Sequence, residues 1–315
     1  MILEEDHLIS ILMATYNGEP YIAEQIESLL AQTVQDFTLY IRDDCSTDGT
    51  YEIAQAYAHA HPGKIFASRS EENSGSAKHN FMRMMVEYRD DYLMLCDQDD
   101  VWLPDKVEKT LKKLQEMERK HGSETPLLAH TDLRVVDEEL RVMEPSFIKA
   151  MHADYNKTGL NQLLVQNTLT GCTAMYNCAL AELLTKEPPY MVMHDWWLML
   201  VVAAFGRIGH SGEQTILYRQ HQGNQIGAKN VNTLRYKLNR FLHGEEVKIA
   251  LRQTYEQAQS FLGIYEEMLS PEQRHLLRQY VQTPTLPKLA RWRRVHLLGT
   301  LKNGFSRNVA HFLYI

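Results

Sequence analysis

The residues most able to do chemistry are three aspartates that directly follow an apolar segment. Residues 92–96 are mostly apolar, and Asp97, Asp99 and Asp100 come next, before Pro104 opens a helical pattern. Carboxylates this close repel one another unless a cation or a network of donors lies among them. Mg²⁺ in proteins binds one or two carboxylates together with phosphate oxygens of a substrate. Asp97 and Asp99 are therefore a candidate metal site, and the alternative is a polar turn ahead of a solvated helix.

The elements that must position these aspartates alternate between strand and helix along the first 140 residues. Mostly apolar strand patterns separated by helical periodicity predict βαβ units, and hence an α/β fold with a mainly parallel central sheet flanked by helices. The predicted strands are residues 8–14, 37–41, 65–67, 92–96 and 127–136, and the predicted helices are residues 21–31, 50–61, 77–88 and 105–120.

Polar, turn-prone residues follow three of these strands. The segments are "ATYNGE" from residue 14, "RDDCSTDGT" from residue 42 and "CDQDD" from residue 96. Each has a local alternative, because Asn17-Gly18 is turn chemistry and Ser46 or Asp48 could cap a helix. Ligands of open α/β sheets bind beyond the carboxyl ends of the strands, so the convergence favours a polyanionic ligand with a cation. No phosphate-binding loop or dinucleotide motif is present, which leaves the phosphate to the metal.

Composition predicts a cytoplasmic protein without a membrane span. Of the 315 residues, 44% are hydrophobic and 23% are charged. No apolar run approaches the ~18 residues of a membrane span, and the first residues lack the pattern of a secretory signal. The four cysteines form no CxxC pair, which favours reduced thiols over a zinc site or disulfides.

The charge is distributed unevenly. Residues 273–315 carry eight Lys or Arg and no Asp or Glu, which gives this segment a charge of +8. Because the net charge of the chain is −7, residues 1–272 carry −15. A basic tail on an acidic body indicates an anionic partner surface, and no nucleic-acid motif accompanies it. Helical spacing of apolar side chains among the basic ones predicts either an interfacial membrane helix or a helix packed on the catalytic domain. These side chains are Leu289, Trp292, Val295, Leu298 and Leu301.

Several segments together resemble a known family. They are "ISILMATYNGEPYIAEQIESLLAQT", "IRDDCSTDGT", "ENSGSAKHN", "DQDD", "HDWWLML" and "YRQHQGNQIGA". In this order they resemble family 2 glycosyltransferases, the inverting enzymes of the GT-A fold, and in particular the rhamnosyltransferase-like members of bacterial cell-surface polysaccharide synthesis. The resemblance covers about residues 8–228. It implies a Rossmann-like GT-A catalytic domain over residues 1–230 and an α-helical C-terminal region over residues 231–315.

The resemblance also assigns the donor site. Asp44 would accept the N3–H of a uracil or thymine ring, and Gly75 would allow close approach of the backbone. The family more often has Arg near Lys78, so the resemblance supports a phosphate contact of Lys78 less strongly than the other contacts. The donor-binding residues implied are Thr15, Tyr16, Asn17, Asp44, Asn73, Gly75, Lys78, Asn80 and Asp97.

The remaining roles concern metal, proton transfer and acceptor. Asp97, Asp99 and His221 would hold Mg²⁺ or Mn²⁺, although His221 also reads as a surface histidine at a strand end. Asp195 would be the general base that takes the acceptor's proton, and it also suits the first turn of a helix. Trp196 and Trp197 could stack on a sugar, and core packing is the alternative for at least one of them. The acceptor side implied is Thr170, Gly171, Trp196 and Trp197.

The sequence thus predicts a metal-dependent inverting glycosyltransferase. The donor would be a dTDP- or UDP-linked sugar, preferably rhamnose, and the acceptor a lipid-linked glycan or a polysaccharide. The enzyme would be cytoplasmic and peripheral on the inner face of the plasma membrane. Two alternatives stay open, namely a sugar-1-phosphate nucleotidyltransferase and a non-catalytic protein that binds glycans or nucleotides.

Overall fold

The computed structural model describes residues 8–221 and 244–315. The end of the segment that resembles the family, from residue 222 onward, lies outside these residues, and so does the predicted domain boundary at residue 230.

Nine strands of the described residues form one sheet, in the order β3-β2-β1-β4-β8-β6-β9-β5, with β7 paired to β6. The first four in this order are parallel, and β8 runs antiparallel to both β4 and β6. The strands are β1 (Ile9–Thr15), β2 (Phe37–Asp43), β3 (Ile65–Arg69), β4 (Tyr92–Asp97), β5 (Val101–Trp102), β6 (Leu127–Val136), β7 (Val142–Glu144), β8 (Ala174–Asn177) and β9 (Arg207–Arg219).

Register brings the carboxyl ends of three strands to one edge. Thr15 of β1 lies opposite Asp43 of β2, and Ala14 pairs with Asp97 of β4 on the other side. Every residue of β1 is buried, as expected for a strand covered on both faces. The predicted α/β fold with helices around a central sheet is confirmed.

Twelve α-helices are present in the described residues. Helix α1 buries Ile22, Ile26 and Leu29, whose spacing of three and four residues places them on one face. The helices are α1 (Ile22–Leu30), α2 (Thr50–Ala60), α3 (Ala77–Glu87), α4 (Lys106–His121), α5 (Phe147–Met151), α6 (Leu160–Leu163), α7 (Cys178–Ala181), α8 (His194–Phe205), α9 (Gly244–Tyr265), α10 (Pro271–Val281), α11 (Lys288–Leu298) and α12 (Phe305–Tyr314). Short 3₁₀ helices span Gly171–Thr173 and Thr283–Thr285.

The chain divides into two compact units. Among the described residues, the first unit consists of residues 8–147, 170–187 and 206–221 and contains the whole sheet. The second consists of residues 148–169, 188–205 and 244–315, and its long elements are helices. The predicted C-terminal helices are therefore present, while the predicted division at residue 230 stays a prediction.

Two apolar clusters hold the second unit together. In one, Trp197 of α8 packs edge-on against Phe261 of α9, with ring centroids 5.4 Å apart. In the other, Val247, Leu251, Val295 and Ile315 are buried against one another, which joins α9, α11 and α12. Across the described part of the chain, no helix combines the length and the apolar character needed to cross a membrane.

Candidate active site

The loops after β1 and β2 are joined by side-chain hydrogen bonds. The Asn17 backbone N–H donates to Ser46 Oγ at 2.9 Å, and the Thr47 backbone N–H donates to the side-chain oxygen Oδ1 of Asn17 at 2.8 Å. Asn17 has φ +48°, in the left-handed region that asparagine tolerates better than most residues. The backbone conformation needed here is therefore one reason for an asparagine at this turn.

Gln98, between the two aspartates of the predicted metal site, holds the backbone of Tyr16. The Tyr16 N–H donates to Gln98 Oε1, and Gln98 Nε2 donates to the Tyr16 carbonyl, both at 2.9 Å. Gly18 leaves room for this amide, since a Cβ there would lie 2.3 Å from Gln98 Cδ. The Tyr16 side chain remains 49% exposed, so its ring is available to a ligand.

Asp43 and Asp44, at the end of β2, differ in their partners. Asp43 is fully buried, accepts the Ser46 N–H at 2.9 Å and lies 3.7 Å from Arg69 Nε, which is a structural arrangement. Asp44 accepts from the N–H and the hydroxyl of Ser74, at 2.8 and 2.7 Å. An ionised carboxylate has about four acceptor positions, so Asp44 retains capacity for a base N–H.

The segment from Asn73 to Asn80 follows β3, includes the start of α3 and contacts the end of β2. Asn73 Nδ2 donates to the Asp44 carbonyl at 2.7 Å, and Gly75 has φ +84° with open space where a Cβ would be. Asn80 is 1% exposed, and its Nδ2 donates to the Arg42 carbonyl at 2.9 Å. This contact makes Asn80 an anchor of α3 on β2, whereas Lys78 in the same helical turn is partly exposed.

Asp99 and His221 are brought together although 122 residues separate them in sequence. His221 Nε2 lies 2.8 Å from Asp99 Oδ2, and the two side chains are 11% and 16% exposed. The imidazole stacks on the Tyr21 ring with centroids 4.5 Å apart. A carboxylate oxygen and an imidazole nitrogen that are adjacent and partly exposed form a donor pair suited to Mn²⁺, and the carboxylate alone suits Mg²⁺.

Arg219, at the end of β9, contacts the backbone next to the Asp99–His221 pair. It is 4% exposed, and its Nε donates to the Asp99 carbonyl at 3.0 Å while its N–H donates to Asp100 Oδ1 at 3.2 Å. Its guanidinium also lies 5.2 Å from the Tyr21 ring centroid and pairs with Glu24. The arginine therefore fixes the backbone that carries both aspartates.

A second acidic group lies at the same strand end. One ligand atom each of Asp97, Asp100 and Cys172 lie within 4.8 Å of one another. Burial, and then the charges of Asp99 and Asp97, raise the pKa of the Asp100 carboxyl well above its usual range. Burial also raises the pKa of the Cys172 thiol. This group shares Asp97 with the predicted metal site, and Asp97 is its partly exposed member, whereas Asp100 and Cys172 are buried.

Asp195 and the two tryptophans belong to the second unit. Asp195 is 9% exposed in the first turn of α8, and its Oδ1 accepts the Trp196 N–H at 2.6 Å. Trp196 is partly buried, and its indole N–H donates to the Leu163 carbonyl at 2.6 Å. Trp197 is 1% exposed, which is the core packing that the sequence left open for one of the two.

Thr170 and Gly171 belong to the first unit and begin the 3₁₀ helix. The Thr170 carbonyl accepts from the N–H and the hydroxyl of Thr173, at 2.9 and 2.7 Å. Thr170 is partly exposed, and Gly171 is buried. Thr170 is therefore the more accessible of the two residues.

Sequence reasoning missed four residues that shape this edge of the sheet. Gln98 lies inside the recognised "DQDD" segment and Ser74 inside "ENSGSAKHN", so both were quoted without a role. Tyr21 lies inside the first recognised segment and Arg219 inside "YRQHQGNQIGA", and neither received a role, because their contacts with the Asp99–His221 pair join distant parts of the chain.

The fold is similar to the GT-A fold of solved structures. The solved structure of residues 1–349 of TarS from S. aureus superposes with a TM-score of 0.57 at 17% identity, covering 87% of this chain and 70% of that one. The mannosyltransferase PcManGT from Pyrobaculum calidifontis, solved with GDP-Man and Mn²⁺, has a TM-score of 0.54 at 15% identity, covering 92% and 72%.

Sequence comparison identifies the family. Residues 10–121 match the family model described as glycosyl transferase family 2. A dTDP-rhamnosyl transferase, RfbG of Shigella flexneri, is 27% identical over 261 residues, covering 76% of this chain and 83% of the relative. A putative teichuronic acid biosynthesis glycosyltransferase, TuaG of Bacillus subtilis, is 36% identical over 109 residues, covering 35% and 42%. Residues 10–121 thus form a glycosyl transferase family 2 domain, and this match together with the relatives confirms the predicted family and enzyme class.

Proposed function

We propose that this glycosyltransferase moves a sugar, with inversion, from a nucleoside diphosphate to a hydroxyl group of a lipid-linked glycan or polysaccharide, with the help of Mg²⁺ or Mn²⁺. The observation that carries the proposal is the Asp99–His221 pair, with its atoms 2.8 Å apart, at the end of the sheet that also presents Tyr16 and Asp44. Donors of this type combine a planar base with a doubly charged diphosphate, and this edge offers an exposed ring and ligands for a cation.

The donor would lie over the joined loops after β1 and β2. Thr15, Tyr16 and Asn17 would contact base and ribose, and Asp44 would accept the base N–H. Asn73, Gly75 and Lys78 would approach the ribose and diphosphate, with Asn80 holding their helix in place. Support for a dTDP-sugar, and for rhamnose, comes from the name of the Shigella relative. The TarS complexes with UDP and UDP-GlcNAc support a nucleotide sugar more generally.

The cation would be held by Asp97, Asp99 and His221. A bound divalent cation supplies charge that stabilises the departing nucleoside diphosphate. The Mn²⁺ in the PcManGT structure supports this choice. Arg219 would keep the Asp99 backbone in place through its bond to the carbonyl, so the ligand geometry would already exist before the donor binds.

Asp195 would accept the proton of the acceptor hydroxyl as that oxygen attacks the anomeric carbon. Inverting transfer needs one such base and no covalent intermediate, because the attack comes from the face opposite the leaving group. Asp195 would be oriented by the bond that its Oδ1 accepts from the Trp196 N–H. Thr170, Gly171 and Trp196 would contribute to the acceptor side.

The enzyme would act at the cytoplasmic face of the plasma membrane, where a lipid-linked acceptor is embedded. This location is proposed from residues 273–315, which include eight Lys or Arg and no Asp or Glu. The anionic leaflet attracts such segments.

The proposal is tested by transfer and donor hydrolysis across dTDP-rhamnose, UDP-glucose and UDP-galactose, each with Mg²⁺, Mn²⁺ or chelator. We expect one donor to react in a cation-dependent manner. Asp99→Asn should abolish cation-dependent nucleotide binding, while the exposed Asp36→Asn serves as a matched control. Full activity with chelator would refute the metal role. Formation of a nucleotide sugar from a sugar phosphate and a nucleoside triphosphate would refute the transfer reaction.

A further inference from the structure

Helix α11 turns one side toward solvent and the other toward the second unit's core. Leu289 is 77% exposed and Leu297 is 69% exposed, whereas Val295 is fully buried. Helical spacing places the exposed residues on a single arc, which alternates apolar and basic side chains. These exposed residues are Lys288, Leu289, Trp292, Arg293, His296 and Leu297.

The predicted apolar stripe of this segment is therefore divided between two faces. Val295 and Leu301 belong to the core cluster with α9 and α12, which is the packing alternative. Leu289 and Trp292 face solvent, together with Leu297, which the predicted stripe did not include. Because Val295 already packs α11 on the core, the exposed Leu289 and Leu297 are not needed to hold the helix in place.

Helix α12 has an exposed stripe of its own. Phe305 is 87% exposed, Val309 37% and Leu313 45%, and their spacing of four residues puts them on one face. In the described part of the chain, six of the thirteen large apolar side chains with high exposure lie on α11 and α12. Solvent exposure of this much apolar side chain within one short segment marks an interaction surface.

Trp292 joins the two exposed stripes. Its indole N–H donates to the Phe312 carbonyl at 2.6 Å, and its ring meets the Phe312 ring edge-on with centroids 6.1 Å apart. The indole is still 38% exposed, and the Lys288 ammonium lies 5.8 Å from its ring centroid. A tryptophan with its N–H bonded and part of its ring exposed suits the interfacial zone of a bilayer.

Charge distinguishes between possible occupants of this surface. No Asp or Glu occurs after Glu272, and Lys288 and Arg293 are exposed among the apolar side chains. The other cations of α11 are engaged with the protein, since Arg291 Nε donates to the Leu286 carbonyl and an Arg294 nitrogen to the Gln279 carbonyl. A face with exposed cations between apolar groups is complementary to anionic lipid headgroups above an acyl layer.

We propose that the outer faces of α11 and α12 dock on a bilayer that contains anionic phospholipids. Leu289, Trp292 and Leu297 enter the interfacial layer together with Phe305, Val309 and Leu313, and Lys288 and Arg293 bind lipid phosphates. The inference deepens the proposed membrane location and rests on it only for its biological purpose, because lipid binding is measured independently of transfer.

The test is co-sedimentation of the full chain with vesicles of phosphatidylcholine plus phosphatidylglycerol, against vesicles of phosphatidylcholine alone. We expect binding to the anionic vesicles at low salt and partial release at high salt. In Leu297→Ser/Phe305→Ser most of this binding should be lost, whereas the control Ile249→Ser/Met268→Ser changes two exposed apolar residues elsewhere and should keep it.

A second pair of variants tests the charges. Lys288→Gln/Arg293→Gln should weaken partitioning roughly 25-fold at low salt, since each cation near an anionic surface contributes about fivefold. The control Lys112→Gln/Lys120→Gln removes two exposed cations from α4 and should leave partitioning unchanged. Donor hydrolysis should be the same in all these proteins, and a wild-type chain that docks on vesicles but hydrolyses none of the donors would count against the proposed function alone.

Three results would overturn the docking surface. They are no vesicle binding by the wild-type chain at low salt, equal binding by Leu297→Ser/Phe305→Ser, or a wild-type dimer that this variant converts to monomer. The last result would make a second copy of the chain the occupant. Matching far-ultraviolet circular dichroism and thermal midpoints would show that the variants fold alike.

Discussion

Gly18 provides a sensitive test of the edge where β1 and β4 end. In Gly18→Ala the new Cβ would overlap the Gln98 amide group, whose three terminal atoms lie 2.3–2.6 Å from that position. The flexible glutamine side chain is the part that moves, because Gly18 itself is not in the left-handed region. Displacing it removes the two 2.9 Å bonds that hold the backbone N–H and carbonyl of Tyr16.

The cost to stability follows from these contacts. Each hydrogen bond contributes about 1 kcal/mol, and the alanine returns about 0.5 kcal/mol by restricting the unfolded chain. We therefore expect Gly18→Ala to lower the free energy of unfolding by about 1.5 kcal/mol. If Tyr16 lines the base as proposed, its release should weaken binding of dTDP or UDP about tenfold.

The measurements are urea unfolding and calorimetric titration with each nucleotide. Gln98→Ala removes the same bonds without adding bulk, so the double variant should be hardly worse than either single variant. Gly212→Ala, where open space surrounds the added methyl group, is the control. If Gly18→Ala lowered the free energy of unfolding by more than about 3 kcal/mol, the backbone rather than the Gln98 side chain would have shifted, as overpacking can force. Unchanged nucleotide affinity would refute the link between Gln98 and the donor.

Three further results are expected. Asp195→Asn should keep donor affinity and reduce transfer by ~10²–10⁴ in single-turnover assays, and a reduction below about tenfold would point to another base. Burial, and then Lys302, lower the pKa of His311 to about 4. As pH falls below about 6.5, this histidine therefore takes up a proton in the unfolded chain before it does so in the folded protein, which lowers the free energy of unfolding. Between pH 7 and pH 5, His311→Leu should lose about 2 kcal/mol less of this free energy than wild type in urea unfolding, and an equal loss would contradict this. Trp197→Ala should lower the free energy of unfolding by about 3–5 kcal/mol, and a near-neutral effect would contradict its place in the core.

The strands and helices of the first 140 residues were predictable because their patterns are local. Residues 8–14 and 92–96 are mostly apolar runs, and α1 repeats its apolar residues every three or four positions. Such periodicity depends on what each face buries, which the sequence records directly. The antiparallel β8 between β4 and β6 was not predictable, because its four residues carry no sign of their distant partners.

The residues of the candidate site were predictable only where their type, spacing or family resemblance signals them. Asp97 and Asp99 stood out by type and spacing, and His221 by family resemblance. The clamp of Gln98 on Tyr16 and the support of Asp99 by Arg219 depend on tertiary geometry, so no local pattern signals them. For α11, the helical pattern was legible, but the division of its apolar residues between two faces depends on where α9 and α12 lie.

The two compact units have a consequence for how the chain can be shortened. Each is assembled from separate stretches, so no single cut of the polypeptide separates them. A fragment ending at residue 230 would contain α8 but not Phe261, the partner of Trp197, nor Gln273, whose side chain donates to the Ala204 carbonyl at 2.6 Å. The helix that carries Asp195 would then expose the large indole face it normally hides. Synthesis as far as Gln273 is thus a precondition for a properly packed α8, and the ribosome must release α9 and the start of α10 before the proposed base is in place.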